Sequence, residues 1–154
     1  MGLDTSHDAW HGSYSSFMRW RKRIAQVAGL PPLELMEGFY QPLDENREMY
    51  VCDVPTFWTS SKPDWKLLDI DKRLPISWDC LKPSPLYEFL HHSDCDGEIP
   101  WEICNDIADC LEPLIMLLPE EGSEEDPWNW KDKTKQFVEG LRLAANLKEN
   151  LVFA

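Results

Sequence analysis

Two histidines near the start of the chain, His7 and His11, enclose an acid, Asp8, in the string TSHDAWHGSY. The spacing H-D-x-x-H differs from the zinc-protease motif H-E-x-x-H, because aspartate replaces the longer glutamate that activates the metal-bound water. In such proteases both histidines project from one face of a helix, whereas Gly12 directly follows the second histidine here. We therefore expect this segment to do something other than zinc-protease chemistry.

The same segment is rich in polar and aromatic side chains that could bind a ligand. Loops held by a scaffold often carry binding groups, and these side chains could hydrogen-bond to a nucleotide-like ligand and stack on it. The simpler alternative is structural, since the Asp, Ser and Thr residues at positions 4–8 are of the types that cap a following helix. The polar and aromatic set comprises Asp4, Ser6, His7, Asp8, Trp10, His11 and Tyr14.

A second cluster of chemically active side chains occupies residues 91–102, HHSDCDGEIPWE. It resembles a calcium-binding loop, because Asp94 and Asp96 take the third and fifth positions and Gly97 takes the tight turn. The ends of the loop do not fit, since His92 stands at the first position and no glutamate stands at the twelfth. An Asp-Gly turn is the simpler interpretation.

The four histidines of the chain fall into these two clusters, so a shared metal site is one hypothesis. It requires that the two segments meet in the fold, and it would support a metal-dependent hydrolase with a divalent metal as its cofactor. The candidate ligands are His7, His11, His91, His92, Asp94 and Asp96. We assign no catalytic residue, because the sequence contains no G-x-S-x-G, Walker A or G-x-G-x-x-G motif.

The formal net charge is −13, and one window supplies nearly all of the imbalance. Residues 94–126 contain no Lys or Arg, and an acidic face of this kind usually keeps a protein soluble. It could also bind a basic partner, so an acidic protein-binding inhibitor is an alternative function. The chain holds two basic clusters, at 19–23 and 131–135, and they offer too small a surface for general nucleic-acid binding. The acids of the window are Asp94, Asp96, Glu98, Glu102, Asp106, Asp109, Glu112, Glu120, Glu121, Glu124, Glu125 and Asp126.

The cysteines and the apolar runs bear on the cellular compartment. The five cysteines include no C-x-x-C pair, and the chain begins without the pattern of a secretory leader. We therefore expect reduced thiols in the cytoplasm. The longest apolar run, LEPLIMLL, is far shorter than the roughly 20 residues that span a bilayer, so no membrane anchor is expected.

Helical periodicity predicts four helices, in the ranges 13–29, 85–92, 100–118 and 129–150, with Pro113 breaking the third. Between the first two helices the chain is rich in proline and aromatic residues, and only the strings EMYVCDV, KLLDI and ISWDC resemble strands. We predict a mainly α fold for residues 1–154, which form a single-domain helical bundle. An irregular Pro- and aromatic-rich segment at about 31–84 wraps the helices and leaves room for a small β-sheet, and an exposed acidic loop lies at about 119–127.

Three strings, GLDTSHDAWHGSYSSFMRWR, HSDCDGEI and KDKTKQFVEGLRLA, together resemble a family of small, uncharacterised proteins from bacteriophages, prophages and bacteria. The likeness covers both ends and the centre of the chain and is least distinctive from about 31 to 80. It assigns no activity to particular residues. A phage origin implies an accessory role, such as blunting a host defence by sequestering a nucleotide signal, although origin does not by itself determine function.

The leading functional hypothesis is non-catalytic binding of a small, anionic, nucleotide-like ligand. Arg19 or Arg23 would pair with phosphate, and Trp10 or Tyr14 would stack on a base. Whether residues 4–14 and 91–98 meet in space decides whether the candidates form one pocket. The ligand-binding candidates are Asp4, Ser6, His7, Asp8, Trp10, His11, Tyr14, Arg19, Arg23, His92, Asp94 and Asp96.

Overall fold

The computed structural model describes residues 2–30, 33, 36, 78–92, 96–119 and 129–154. These residues form four α-helices: α1 (Tyr14–Val27), α2 (Leu86–Leu90), α3 (Trp101–Leu111) and α4 (Trp130–Leu147). Four strands of three residues each, β1 (Gly2–Asp4), β2 (His11–Ser13), β3 (Gly97–Ile99) and β4 (Leu151–Phe153), pair into two small sheets. The prediction of a mainly α fold with a small β component is confirmed.

The helices begin and end close to the positions that periodicity predicts. Ser13 caps α1 by accepting a hydrogen bond from the Ser16 backbone at 3.1 Å, so the predicted capping by residues 4–8 is wrong. The α-helical geometry of α3 ends before Pro113, and residues Glu112–Leu117 continue as a 3-10 helix, because proline cannot donate the next backbone hydrogen bond. The predicted break is therefore confirmed.

Several sequence predictions lie outside the described residues, including the strand-like strings EMYVCDV and KLLDI. Most of the irregular wrapping segment and of the acidic loop lies outside them as well. Part of the string ISWDC is described, and Trp78–Cys80 form a 3-10 turn rather than a strand. Within the described ranges, every helix is too short or too polar to span a lipid bilayer.

Aromatic side chains from α1, α2, α4 and the segment before β2 meet in one core. Trp10 stacks on Trp20 with ring centroids 4.9 Å apart, and Phe17 lies edge-on to Trp10 at 5.2 Å. Phe89 of α2 and Phe137 of α4 contact Trp20 at 5.1 Å and 4.9 Å. Offset and edge-on pairs of this kind add to the stabilisation that comes from burying the rings. The core therefore joins α1, α2 and α4 to residues 4–11, which we call the N-terminal loop.

The indole N–H of Trp20 has a partner inside this core. Its Nε1 donates to Thr134 Oγ1 at 2.8 Å, and Thr134 in turn donates to the Trp130 carbonyl at 2.7 Å. Thr134 is completely buried. Because a buried donor without an acceptor costs free energy, this chain of two hydrogen bonds lets a tryptophan occupy the centre of the fold.

The two small sheets are joined through the C-terminal strand. β1 pairs with β2 in antiparallel register, Leu3 facing Gly12, and β3 pairs with β4, Gly97 facing Phe153. Thr5 forms a bridge to Phe153 on the other edge of β4, and Asp4 and Ala154 exchange two backbone hydrogen bonds of 3.0 Å and 2.9 Å. Both chemically interesting segments are thus attached to β4.

The N-terminal loop lies against α4 at a point where only glycine fits. A Cβ atom added to Gly140 would lie 2.3 Å from the Cβ of Ala9 and 2.7 Å from its Cα. Both residues are completely or almost completely buried. The loop therefore approaches the helix backbone directly, and Gly140 sets the distance between them.

We predict that Gly140→Ala lowers the free energy of unfolding by about 1–3 kcal/mol, because the added methyl group overpacks this contact. The same substitution in an unobstructed helix would raise it by up to about 1 kcal/mol. Denaturant titration measures the difference, with Asn146→Ala on the exposed side of the same helix as the control. A stabilised Gly140→Ala variant would contradict the close approach.

Candidate functional site

The segment that contains the two histidines is a loop closing the β1–β2 hairpin, and it is not an α-helix. Residues Ser6–Asp8 form one distorted 3-10 turn, in which His7 (φ 60°) and Asp8 (φ 56°) adopt the left-handed conformation. His11 already belongs to β2. The two rings therefore do not project from one helix face, as a zinc-protease motif requires.

His11 lies between two carboxylates on the exposed side of this loop. Its Nδ1 is 2.9 Å from Asp4 Oδ1, and its Nε2 forms a hydrogen bond with Asp8 Oδ1. A carboxylate only accepts hydrogen bonds, so this arrangement favours the protonated ring, in which both nitrogens donate. The hydrogen bond with Asp4, followed by that with Asp8, raises the pKa of His11 above its ordinary value.

Helix α4 holds the same loop through two side chains that bond its backbone. Lys133 Nζ donates to the His11 carbonyl at 2.8 Å, and Gln136 Nε2 donates to the Asp8 carbonyl at 2.8 Å. Lys133 also lies 4.9 Å from the ring centroid of Trp10, within the range of a cation–π contact. These contacts hold the backbone that carries the two carboxylates and His11.

His7 faces the other end of α4. Its Nδ1 lies 2.8 Å from Ser6 Oγ, and its Nε2 lies 2.8 Å from Glu149 Oε2. Ser6 Oγ also accepts a hydrogen bond from the Val152 backbone at 2.9 Å. The His7 side chain is 8% exposed, whereas that of Glu149 is 62% exposed. His7 and His11 thus bind different partners, in two separate polar clusters.

Residues 96–98, the described end of the second cluster, lie across β4 from the N-terminal loop. Thr5 and Gly97 pair with the same residue, Phe153, from opposite edges of the strand. Since neighbouring strands are roughly 5 Å apart, the backbones of the two segments lie on the order of 10 Å apart at this level. The two segments are therefore neighbours that share one strand. Asp94, a candidate ligand, lies outside the described residues.

The described part of this turn has the geometry of an Asp-Gly turn leading into a strand. Gly97 has a φ of 105°, a conformation that favours glycine, and the chain continues directly as β3. Asp96 is exposed. The ring of His92 lies 4.2 Å from that of Phe153, while His91 stacks on Tyr87 at 5.1 Å. The two adjacent histidines therefore contact different parts of the fold.

The described residues also bear on the metal hypothesis. Among them, no group of three or more His, Cys, Asp or Glu side chains is placed to hold a metal ion. All four ring nitrogens of His7 and His11 form hydrogen bonds to serine or carboxylate oxygens. A metal-dependent hydrolase gains no support from this part of the chain.

The aromatic residues predicted to stack on a ligand have different surroundings. Trp10 is completely buried, stacked on Trp20 and in contact with Phe17, so neither ring face is open to a ligand. This corrects the expectation that Trp10 stacks on a base. Tyr14 is half-buried at the start of α1, directly after β2, and keeps its place among the candidates.

The basic cluster of α1 divides between the core and the surface. Arg21 is 1% exposed, and its Nη1 donates to the carbonyls of Leu90, at 3.2 Å, and of His92. It therefore binds the C-terminal end of α2, where backbone carbonyls lack helical partners. Arg19 is exposed, and Arg23 donates to Gln26 Oε1 at 2.8 Å. Their predicted contact with phosphate stays a prediction.

The acidic face of α3 is partly neutralised by α4. Arg142 donates to Asp109 Oδ1 at 2.9 Å and to Glu112 Oε2 at 3.1 Å. Glu102 and Asp106 are exposed on the same helix. Binding of a basic protein through this face stays a prediction, with a smaller uncompensated charge than the sequence indicates.

We predict that the two carboxylates stabilise the fold in a pH-dependent manner through His11. The pKa of His11 is raised, so the contribution is fully present below the unfolded value of about 6.5 and is lost as the pH rises through the folded value. NMR titration of the ring should show that Asp4→Asn and Asp8→Asn each lower this pKa. Asp109→Asn on α3 serves as the control, and a wild-type His11 pKa at or below 6.5 would refute the arrangement.

Comparison of the chain with protein-family models, with curated proteins and with solved structures gave no match. The likeness to small phage and bacterial proteins therefore stays a prediction.

Proposed function

We propose that this protein binds a small, polar, nucleotide-like ligand at the N-terminal loop and releases it unchanged. The observation that supports the proposal is the exposed cluster of Asp4, Asp8 and His11, in which the His11 ring lies between two carboxylates. Exposed side chains seldom hold fixed positions by themselves, because ordering them costs conformational entropy. In this cluster the side chains are already ordered in the folded protein, so ligand binding does not have to order them.

The backbone of the loop is held in a conformation that free peptides avoid. His7 and Asp8 both have positive φ, a strain that persists only where surrounding contacts enforce it and that is frequent at binding sites. Lys133 and Gln136 bond the loop from α4, and Ala154 bonds it from the end of β4. A preorganised loop binds a ligand at a lower entropic cost.

The charges of the cluster suit a ligand with both donor groups and a limited negative charge. Carboxylate oxygens of Asp4 and Asp8 can accept hydrogen bonds from base amino groups or ribose hydroxyls, while His11 and Lys133 attract phosphate. The neighbouring acids repel a strongly anionic group. We therefore expect mononucleotides or cyclic nucleotides to bind better than triphosphates, with Tyr14 as the stacking partner.

The biological role that we propose is that of a phage-type accessory protein which sequesters a nucleotide signal of a host defence. The likeness of three sequence strings to phage and prophage proteins supports it by context. Sequestration requires that the protein binds the nucleotide without converting it. A cluster of hydrogen-bonding groups provides binding of this kind.

Isothermal titration calorimetry with a panel of cyclic and linear nucleotides tests the proposal. We expect heat of binding with at least one cyclic or mononucleotide ligand, and a loss of about tenfold or more in affinity for His11→Ala and Lys133→Ala, since each charge-assisted contact is worth roughly 1.5–3 kcal/mol. Lys135→Ala, an exposed lysine on the same helix, should bind as the wild type does. Absence of heat with every nucleotide in the panel would overturn the proposal.

A further inference from the structure

Ser6, His7 and Glu149 form a continuous hydrogen-bonded series that the binding proposal does not use. The hydroxyl of Ser6 lies 2.8 Å from His7 Nδ1, and His7 Nε2 lies 2.8 Å from Glu149 Oε2. Hydroxyl, imidazole and carboxylate in this order are the groups that activate a serine for acyl transfer. The two ring nitrogens are exchanged relative to the commonest arrangement, but either can accept a proton.

Counting donors and acceptors assigns the protons when the imidazole is neutral. A carboxylate only accepts, so His7 Nε2 carries the hydrogen and donates it to Glu149. Nδ1 is then unprotonated and accepts the O–H of Ser6. The Val152 backbone N–H donates to Ser6 Oγ at 2.9 Å, which leaves one oxygen lone pair for attack.

The backbone explains how two adjacent side chains come to bond one another. Neighbouring side chains diverge in both helices and strands, so a Ser6–His7 contact needs unusual dihedral angles. His7 has φ 60° and ψ 21°, the left-handed conformation, in which non-glycine residues are strained. Strain of this kind is frequent in active sites, where surrounding contacts enforce it.

Glu149 lies just after the end of α4 and is 142 positions from His7 in the sequence. Lys148 ends the helix in the left-handed conformation, and the Glu149 N–H returns to the Ala144 carbonyl at 3.0 Å. Asn150 then accepts from the Trp101 N–H at 3.0 Å. The carboxylate that orients His7 thus stands on a fixed turn.

We infer that Ser6 is a nucleophile that accepts an acyl group from small activated esters, with His7 as general base and Glu149 as the positioning residue. Ser6 Oγ attacks the carbonyl carbon while its proton moves to His7 Nδ1. The ester C–O bond then breaks, and the leaving alcohol takes that proton. Water attacks the acyl-serine in turn, giving the carboxylic acid and restoring Ser6.

The purified full-length protein can be tested with a fluorophosphonate probe and with p-nitrophenyl acetate. We expect one phosphonyl adduct per chain by intact mass, mapped to Ser6 by peptide sequencing, and release of p-nitrophenol. Ser6→Ala should abolish both signals. Ser15→Ala, an exposed serine in α1, should leave them unchanged. Absence of an adduct, or an adduct at another residue, would overturn the inference.

A second variant separates nucleophilic activation from a structural role, because Ser6→Ala also removes the partner of the Val152 N–H. Glu149→Gln retains a hydrogen-bond acceptor but removes the charge that stabilises the His7 imidazolium, so we expect the labelling rate to fall by about 100-fold with the thermal midpoint preserved. The wild-type labelling rate should rise with pH and then level off, because a general base acts only in its unprotonated form. A pH-independent rate, equal in Glu149→Gln and wild type, would refute activation.

This inference is independent of nucleotide binding. The hydrogen bonds of the Ser6–His7–Glu149 series join other side chains than those between His11 and its two carboxylates, so labelling and calorimetry test the two assignments separately. Failure of calorimetry with intact labelling, or the reverse, identifies which of the two assignments is wrong.

Discussion

The stacking of Trp10 on Trp20 attaches the N-terminal loop to the helical core, and the positions of the loop's polar side chains depend on it. Ala9, the preceding residue, lies directly against Gly140 of α4, so two consecutive residues anchor the loop from inside. Because Ala9 and Trp10 are buried, residues 5–8 must connect the end of β1 to this anchor within a few positions. In this stretch His7 and Asp8 have positive φ, and the two histidines contact different neighbours.

The C-terminal strand β4 is the second element on which the arrangement depends. One residue, Phe153, pairs with Thr5 on one edge and with Gly97 on the other, and its ring contacts that of His92. A strand of three residues has little stability alone, but here each edge pairs with a segment that is also held elsewhere. A single short strand thereby brings the N-terminal loop, the Asp-Gly turn and the end of α4 into one neighbourhood.

Features that depend on neighbouring positions in the chain could be predicted from the sequence, whereas features that depend on contacts between distant segments could not. The helices around Phe17, Ile107 and Phe137 were predictable, because helical periodicity and proline breaks are local properties of the chain. The buried role of Arg21 was not, since only the end of α2 supplies the carbonyls that it binds. A signal for the burial of Trp10 existed in its spacing from Phe17 and Trp20, since positions 10–20 hold four aromatic residues, Tyr14 included. That spacing fits a ligand-stacking surface equally well.

The sequence by itself determined the helical framework and the identity of the reactive side chains. Apolar spacing specifies which face of a helix is buried, and residue type specifies which groups can donate or accept a proton. The tertiary structure alone decided how those groups are paired. His7 and His11 are four positions apart and serve different clusters, whereas His7 and Glu149 are 142 positions apart and share a hydrogen bond. Such pairings arise from the docking of a loop onto a helix end and a strand, and no local pattern in the chain encodes the distance between them.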